Sequence, residues 1–335
     1  MDDSVLLAHG GGGLLSDELI RELVAPRFRN EHLDRMDDSA VLRLAPGRVA
    51  LTTDSYVVSP LFFPGGNIGD LAVCGTVNDL AMAGARPQYI TLSLIIEEGF
   101  ARSELELVLD SIRVRCLQSG VRVVGGDTKV VPRGAADGLF INTSGVGVVP
   151  DGLELSSHNA RPGDAVIVSG AVGLHGLAVM LCRGDLKLQT PVRSDVAPLN
   201  AVVQRLVDEK IAARTLRDLT RGGLAMALYD IGRHSGVTVE LEQDRLPQSD
   251  AAQSACELLG LDPLYVACEG RLVAVVAPDD AERAVELMRQ VPAASEAAVV
   301  GHIIEKTDHA IELVTSVGSR RVVSPPRGEQ MPRIC

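Results

Sequence analysis

At 335 residues the chain is long for one core and suits two, and its 46% hydrophobic and 23% charged residues describe an ordinary globular protein. A net charge of −12 argues against nucleic acid or an anionic membrane as partner, so an acidic chain that binds phosphates needs metal ions between them and itself. Aromatics at 3% exclude a base-stacking platform, and 33 glycines suit an enzyme with tight turns and backbone-lined sites.

The start, Met1-Asp2-Asp3-Ser4, has no basic region, and no apolar run approaches a membrane span, so a cytoplasmic location is expected. Cys74, Cys116, Cys182, Cys256, Cys268 and Cys335 form no Cys-x-x-Cys pair, which argues against zinc or a disulfide framework. His9 precedes Gly10, Gly11, Gly12 and Gly13, whose successive N–H groups could wrap an anion; a flexible linker has the same composition. A short amphipathic helix follows, with Leu19, Ile20, Leu23 and Val24 on one face and Ser16 as cap.

Asp37 and Asp38 come next, then two apolar runs, 40–44 and 49–53, which Pro46-Gly47 joins into an expected hairpin. Asp54 ends the second run, where a strand-terminal carboxylate is either a hard-cation ligand or a turn residue. A helix over 67–83 carries Asn78-Asp79 within an apolar stretch, either hydrogen-bonded into the core or turned towards a metal. Strand 89–96 and a helix opened by a Ser103/Glu106 capping box lead to Gly120. Strand 121–124 then runs into Gly125, Gly126, Asp127, Thr128 and Lys129. A glycine turn there would present a carboxylate for magnesium and an ammonium for developing negative charge, the grouping that phosphoryl chemistry uses.

After strand 139–149, the polar stretch 151–164 with Pro162-Gly163 reads as a linker. The second half opens with strand 165–168 and a small-residue turn at Ser169-Gly170. Asp218, Thr220, Arg221, Gly222 and Gly223 make an acidic, glycine-rich turn before helix 224–231. Strand 237–241, helix 250–259 with Gly260 as its stop, strand 272–277 entered by Glu269, helix 280–290 and two short strands complete it. The tail, 324–335, holds Pro325, Pro326, Gly328 and Pro332, should stay extended, and could span about 40 Å. It ends in Cys335, a thiol on a mobile arm.

Together these segments resemble the superfamily of AIR synthase, selenophosphate synthetase and thiamine monophosphate kinase. Within it the whole chain is similar to the HypE family, carbamoyl dehydratases of [NiFe]-hydrogenase maturation. The residues that carry the resemblance are His9 to Gly13, Thr53-Asp54-Ser55, residues 60–69, Asn78-Asp79, residues 126–131, residues 133–137, Thr220-Arg221-Gly222-Gly223, Glu269-Gly270-Arg271 and Pro332-Arg333-Ile334-Cys335. The resemblance implies a mixed α/β (α+β), two-domain PurM-like fold, with N-terminal domains that pair their sheets in a homodimer and a flexible C-terminal tail. Its parts are expected at 1–36 (glycine-rich segment and short helix), 37–150 (ATP/Mg-binding and dimerisation domain), 151–164 (linker), 165–323 (C-terminal α/β domain) and 324–335 (tail).

The implied activity is ATP-dependent dehydration of a carbamoyl group carried on Cys335 to a thiocyanate, the source of the iron's cyanide ligand. Cys335, Lys129 and Glu269 are the implied catalytic residues. Gly10, Gly11, Gly12, Gly13, Asn78, Gly125, Gly126 and Thr128 are implied at the nucleotide, and Asp38, Asp54, Asp79 and Asp127 at Mg2+. A HypF-like carbamoyl transferase and a HypC–HypD-like iron-carrying complex are the implied partners. Two residues depart from the family pattern: Cys268 stands where asparagine is expected, which puts an amide contact orienting Glu269 in question, and Gly11 stands where serine is expected. Other readings of the chain are a kinase or synthetase of the same superfamily with a functionless tail, and a nucleotide-binding scaffold that uses Cys335 as a metal ligand or docking hook for partners.

Overall fold

The computed structural model describes residues 4–10, 14–35, 42–44, 46–183, 191–325, 331 and 333–335; Asp37, Asp38, Gly11, Gly12, Gly13 and Pro332 lie outside the described residues. Helix α1 (Leu14–Leu19) runs through a π-helical turn (Ile20–Val24) into α2 (Ala25–Phe28). Leu19, Leu23 and Phe28 are buried, so the apolar spacing does select the inward face. Ser16, expected as the cap, lies inside α1, which starts two residues earlier.

The first half continues with β1 (Arg48–Tyr56), two short strands β2 (Phe62–Phe63) and β3 (Gly66–Asn67), α3 (Ile68–Met82), β4 (Arg86–Glu97), α4 (Arg102–Ser119), β5 (Arg122–Val131) and β6 (Leu139–Val149). The sheet order is β1-β6-β4-β5; β4 and β5 are parallel, joined across α4, and the other pairs are antiparallel. Helices α3 and α4 cover one face. Along β4 this face takes Ile90, Leu92, Leu94 and Ile96, all buried. The opposite face is open and carries Val49, Leu51 and Ile95, with Leu51 77% exposed.

Three expectations change here. The hairpin between 40–44 and 49–53 does not form among the described residues: 42–44 are not strand, and β1 spends its whole length on β6, from Arg48 opposite Val149 to Tyr56 opposite Ile141. That ladder satisfies more backbone groups than a short hairpin could. The Ser103/Glu106 capping box is absent, because α4 starts at Arg102 after Ala101, which makes no side-chain cap. Burial of Leu105, Val108, Leu109 and Ile112 sets the helix phase instead. Finally, Gly125-Gly126 is not a turn. Strand β5 runs straight through it with a register irregularity opposite Ile90 and Thr91, and a Cβ at Gly126 would collide with the Leu92 carbonyl.

The second half holds β7 (Ala165–Val168), α5 (Leu174–Cys182), α6 (Asn200–Asp208), β8 (Ala213–Asp218), α7 (Gly223–Ser235), β9 (Thr238–Glu242), α8 (Asp250–Leu259), β10 (Leu272–Val276), α9 (Ala281–Arg289), β11 (Ala298–Ile304), β12 (Ile311–Val314) and β13 (Arg320–Val322). One seven-stranded sheet, ordered β13-β12-β9-β11-β7-β10-β8, has helices on both faces. Val166 and Val168 pack towards α7, while Ala165 and Ile167 pack towards α6 and α9. This two-sided burial is why β7 and β10 read as unbroken apolar runs. Three described strands, not two, follow α9.

Candidate active site

Alternation along β1 sends Thr52, Asp54 and Tyr56 to the face that α3 covers. Asp54 stands opposite Thr143, which is buried and donates its hydroxyl to the Ala72 carbonyl of α3 at 3.0 Å. The Thr52 hydroxyl donates to Asp79 Oδ2 at 2.8 Å, and the Tyr56 hydroxyl donates to Asp54 Oδ2 at 3.2 Å. The second half contributes two more carboxyls: Asp218 ends β8 and pairs with Leu272 at the start of β10, and Glu269 lies just ahead of that strand. The cleft between the two sheets thus collects Asp54, Asp79, Asp218 and Glu269.

These four groups perturb one another. Burial raises the pKa of Asp54, against the opposing Tyr56 hydrogen bond and Arg221 charge. Burial also raises Asp79, and the Asp54 charge adds to it. Asp218 is pushed up to about 7 by burial and then by Asp79. Glu269, 3% exposed, lies well above the carboxylate range through burial, then Asp218, Asp195 and Asp54. Oxygen-only donors suit Mg2+, and a divalent cation among these carboxyls would oppose the burial, and the added repulsion, that hold their pKa values up. Among the described residues, no three Asp, Glu, His or Cys side chains are grouped so as to hold a metal ion. Phosphate oxygens would have to complete such a site.

The expected metal set does not assemble as one group. Asp54 and Asp79 share the cleft, and Asp38 lies outside the described residues. Asp127 is in register with Ser93, which pairs with Asn142, which pairs with Ser55, and the Asn142 amide donates to the Ser55 hydroxyl at 2.9 Å. That row belongs to the open face, opposite Asp54. Lys129 is on the open face too, 2.7 Å from Asp127 Oδ1, with both side chains more than half exposed. Its charge and hydrogen bond lower the Asp127 pKa. From β5 to β1 is three strand spacings, roughly 14 Å, so a single chain keeps Lys129 well away from the strand that receives the chain end.

Asn78, expected at the nucleotide, is a structural tie. Its Oδ1 accepts the Leu199 N–H at 2.7 Å, and its Nδ2 donates to the Ala197 and Glu269 carbonyls at 3.2 and 3.3 Å. The core reading of that residue therefore holds, while its neighbour Asp79 faces the cleft. Gly10 closes a 3-10 turn (Leu7–Gly10), and Thr128 donates its N–H to Asp127 Oδ1 at 2.9 Å.

The chain end is seated beside this cleft. Immediately beyond β1, the Val57 N–H donates to the Cys335 carbonyl and the Ser59 N–H to the Arg333 carbonyl, each at 3.1 Å. The Arg333 guanidinium donates to the Val57 carbonyl at 3.0 Å and pairs with Asp137 at 2.7 Å. Met331 and Ile334 are buried in the core that α3 and α5 share. The described residues at the end of the expected arm, 331 and 333–335, are thus docked, and Tyr56, whose hydroxyl faces the carboxyls, is the immediate neighbour of the residue that holds Cys335.

Cys268, found where asparagine was expected, accepts the Gly173 N–H on its sulfur at 3.0 Å, and burial pushes its thiol pKa well up. Glu269 is oriented from elsewhere: its N–H donates to Asp195 Oδ1 at 2.9 Å, and its carbonyl accepts Asn78. Sequence reasoning left Tyr56, His175, Asp195 and Asp218 out of the site. For Asp218 a signal was present, since it opens the acidic, glycine-rich turn; for the others only the fold brings the partners together.

The model for AIR synthase related proteins matches in two parts, the N-terminal domain over residues 36–149 and the C-terminal domain over 161–314. The carbamoyl dehydratase HypE of Bradyrhizobium diazoefficiens is 49% identical over 330 residues, covering 98% of this chain and 95% of that protein. The crystal structure of hydrogenase maturation protein HypE in complex with ATP superposes with a TM-score of 0.94 at 42% identity, covering 98% of this chain and 99% of that one. A chain of the HypE–HypF complex superposes with a TM-score of 0.81 at 45% identity, covering 92% and 99%.

Proposed function

The chain belongs to the AIR synthase related family and, within it, to the HypE carbamoyl dehydratases, and on that premise we propose how its residues carry the reaction. The protein is an ATP-dependent carbamoyl dehydratase of hydrogenase maturation. The observation that carries our mechanism is the seating of a carboxyl-terminal cysteine beside a cleft of four carboxyls with raised pKa values.

In this reading the substrate is a carbamoyl group on the Cys335 sulfur. The amide oxygen takes the γ-phosphoryl group of ATP and ADP leaves; the C–O bond then breaks, phosphate carries the oxygen away, and loss of the nitrogen's protons leaves S–C≡N. Oxygen alone is a poor leaving group, which is why the phosphoryl step comes first. Glu269 is the proton acceptor we assign: with its pKa raised by burial it would be a stronger base than a carboxylate in water once a cation bound among the carboxyls leaves it ionised. Asp54 and Asp79 would share Mg2+ with phosphate oxygens, and the ion when bound would offset phosphate charge. Arg217 and Arg221 bring positive charge to the same carboxyls. Carrying the substrate on the chain end would make the reaction intramolecular, and the main-chain bonds to Val57 and Ser59 would limit how far that end strays.

A HypF-like transferase is the proposed carbamoyl donor, supported by the HypE–HypF complex among the similar structures. A HypC–HypD-like complex that carries iron is the proposed cyanide acceptor. We assign a homodimer through the open sheet face, supported by exposed Val49, Leu51 and Ile95. A cytoplasmic location fits these partners; among the described residues no helix is long and apolar enough to cross a membrane. The test is intact mass spectrometry of carbamoylated protein with Mg-ATP. The tail should lose one water, and Cys335→Ala should take up no carbamoyl group; dehydration that persists in that variant would overturn the assignment.

A further inference from the structure

Ile334 and His175 are 159 positions apart in sequence, yet the His175 Nε2 lies 2.6 Å from the Ile334 carbonyl oxygen, with both residues buried. A carbonyl only accepts, so Nε2 carries the proton. The other ring nitrogen, Nδ1, is 2.8 Å from the Ser194 hydroxyl, which must then be the donor. Ser194 is itself fixed: its N–H donates to the Pro64 carbonyl at 2.7 Å, and its hydroxyl oxygen accepts the Val196 N–H at 3.1 Å. Burial lowers the His175 pKa, which keeps the ring neutral and this tautomer in place. Phe63 packs edge-on against the imidazole at 5.2 Å between ring centroids.

The next residue of the same segment is Asp195, whose Oδ1 accepts the Glu269 N–H. Gly270 lies so close to the Asp195 carbonyl that a Cβ there would collide with it. One short segment, Ser194-Asp195, therefore touches the imidazole that grips the chain end on one side and the backbone of the assigned base on the other.

We propose that His175 is a positioning residue: it latches the docked chain end through the Ile334 carbonyl, and the Ser194-Asp195 segment registers that latch against Glu269. The importance of the register for dehydration rests on the function proposed above; the latch itself does not. Arg183 supports the same end, donating to the Arg333 carbonyl and, from Nε, to the Ser59 carbonyl, each at 2.7 Å.

Two amide variants separate the roles of the ring nitrogens. Glutamine reaches the Nε2 position and can still donate to Ile334, whereas asparagine reaches only the Nδ1 position. Site-resolved alkylation of Cys335 by iodoacetamide, read by peptide mass spectrometry on the full-length protein, measures docking without any turnover. His175→Asn should speed Cys335 alkylation by about fivefold or more, the equilibrium worth of one hydrogen bond. His175→Gln should stay near the unmodified rate. Ser194→Ala, which removes the hydroxyl that fixes the tautomer together with the acceptor of the Val196 N–H, should fall between them and serves if His175→Asn folds poorly. An unchanged Cys335 rate in both His175→Asn and Ser194→Ala would overturn the latch. Dehydration measured on unalkylated portions of the same proteins should fall in His175→Asn with the KM for ATP unchanged and recover in His175→Gln. If the unmodified protein failed to dehydrate its tail while the alkylation order held, the functional reading would fall and the latch would stand.

Discussion

Replacing Asp218 with asparagine should stabilise the protein at neutral and alkaline pH and leave it unchanged near pH 4. The Asp218 pKa is raised from an ordinary 3.8 to about 7, first by burial and then by the charges of Asp79 and Asp54. Between those two values the folded protein holds a proton that the unfolded chain has released. The associated stability is complete below pH 3.8 and is lost as pH rises through 7. At 1.36 kcal/mol per pH unit, the full loss is roughly 4 kcal/mol. The proton is shared among coupled carboxyls, so removing one of them should recover about half of it, near 2 kcal/mol at pH 8. Thermal unfolding of the full-length protein at pH 4, 6 and 8, without divalent cations, reads this directly. The Asp218→Asn midpoint should match the unmodified protein at pH 4 and exceed it by about 4 °C at pH 8. Equal midpoints at all three values would show that the cleft does not strain its carboxyls and would remove the physical case for a cation among them.

Glu269→Gln should lower dehydration by about 100-fold or more while ATP binding, followed by calorimetry, persists, because an amide of the same shape accepts no proton. Lys129→Ala should change stability by less than about 0.5 kcal/mol, since its ion pair with Asp127 is solvent-exposed, yet slow dehydration about tenfold if the ammonium serves the reaction in the assembled protein; an unaltered rate would remove Lys129 from the catalytic set. Gly126→Ala should destabilise by about 2–3 kcal/mol through the clash with the Leu92 carbonyl. Gly125→Ala is its control in denaturant melts: the new methyl would meet only the Thr91 Cγ2 at 3.9 Å, so little change is expected.

Much of the fold was legible because burial is periodic. The alternation along β6, the inward leucines of the first helix and the doubly buried β7 all follow from residue spacing. Pairing was harder to read. Nothing near Val49 announces that β1 seeks β6, about ninety residues away, rather than 42–44 across Pro46-Gly47, and Gly125-Gly126 has turn composition although close strand approach is what the glycine at 126 permits. Asn78-Asp79 shows the same limit at the site. Two neighbouring polar residues of one helix divide between a buried tie and the cleft, and only the position of the second half tells them apart.

The placement of Asp127 and Lys129 bears on what the single chain lacks. Ladder register puts them on one face of the first sheet and Asp54 on the other, and no rotamer change moves a side chain through a hydrogen-bonded sheet. The family resemblance assigns both sets to one nucleotide site. A second copy packed against the open face, where Val49, Leu51 and Ile95 are exposed, would set its own Asp127 row on that same side, so face-to-face pairing alone does not carry Asp127 to Asp54. The chain end thus docks by contacts that one chain contains, and the first sheet separates Asp127 and Lys129 from the carboxyls beside it.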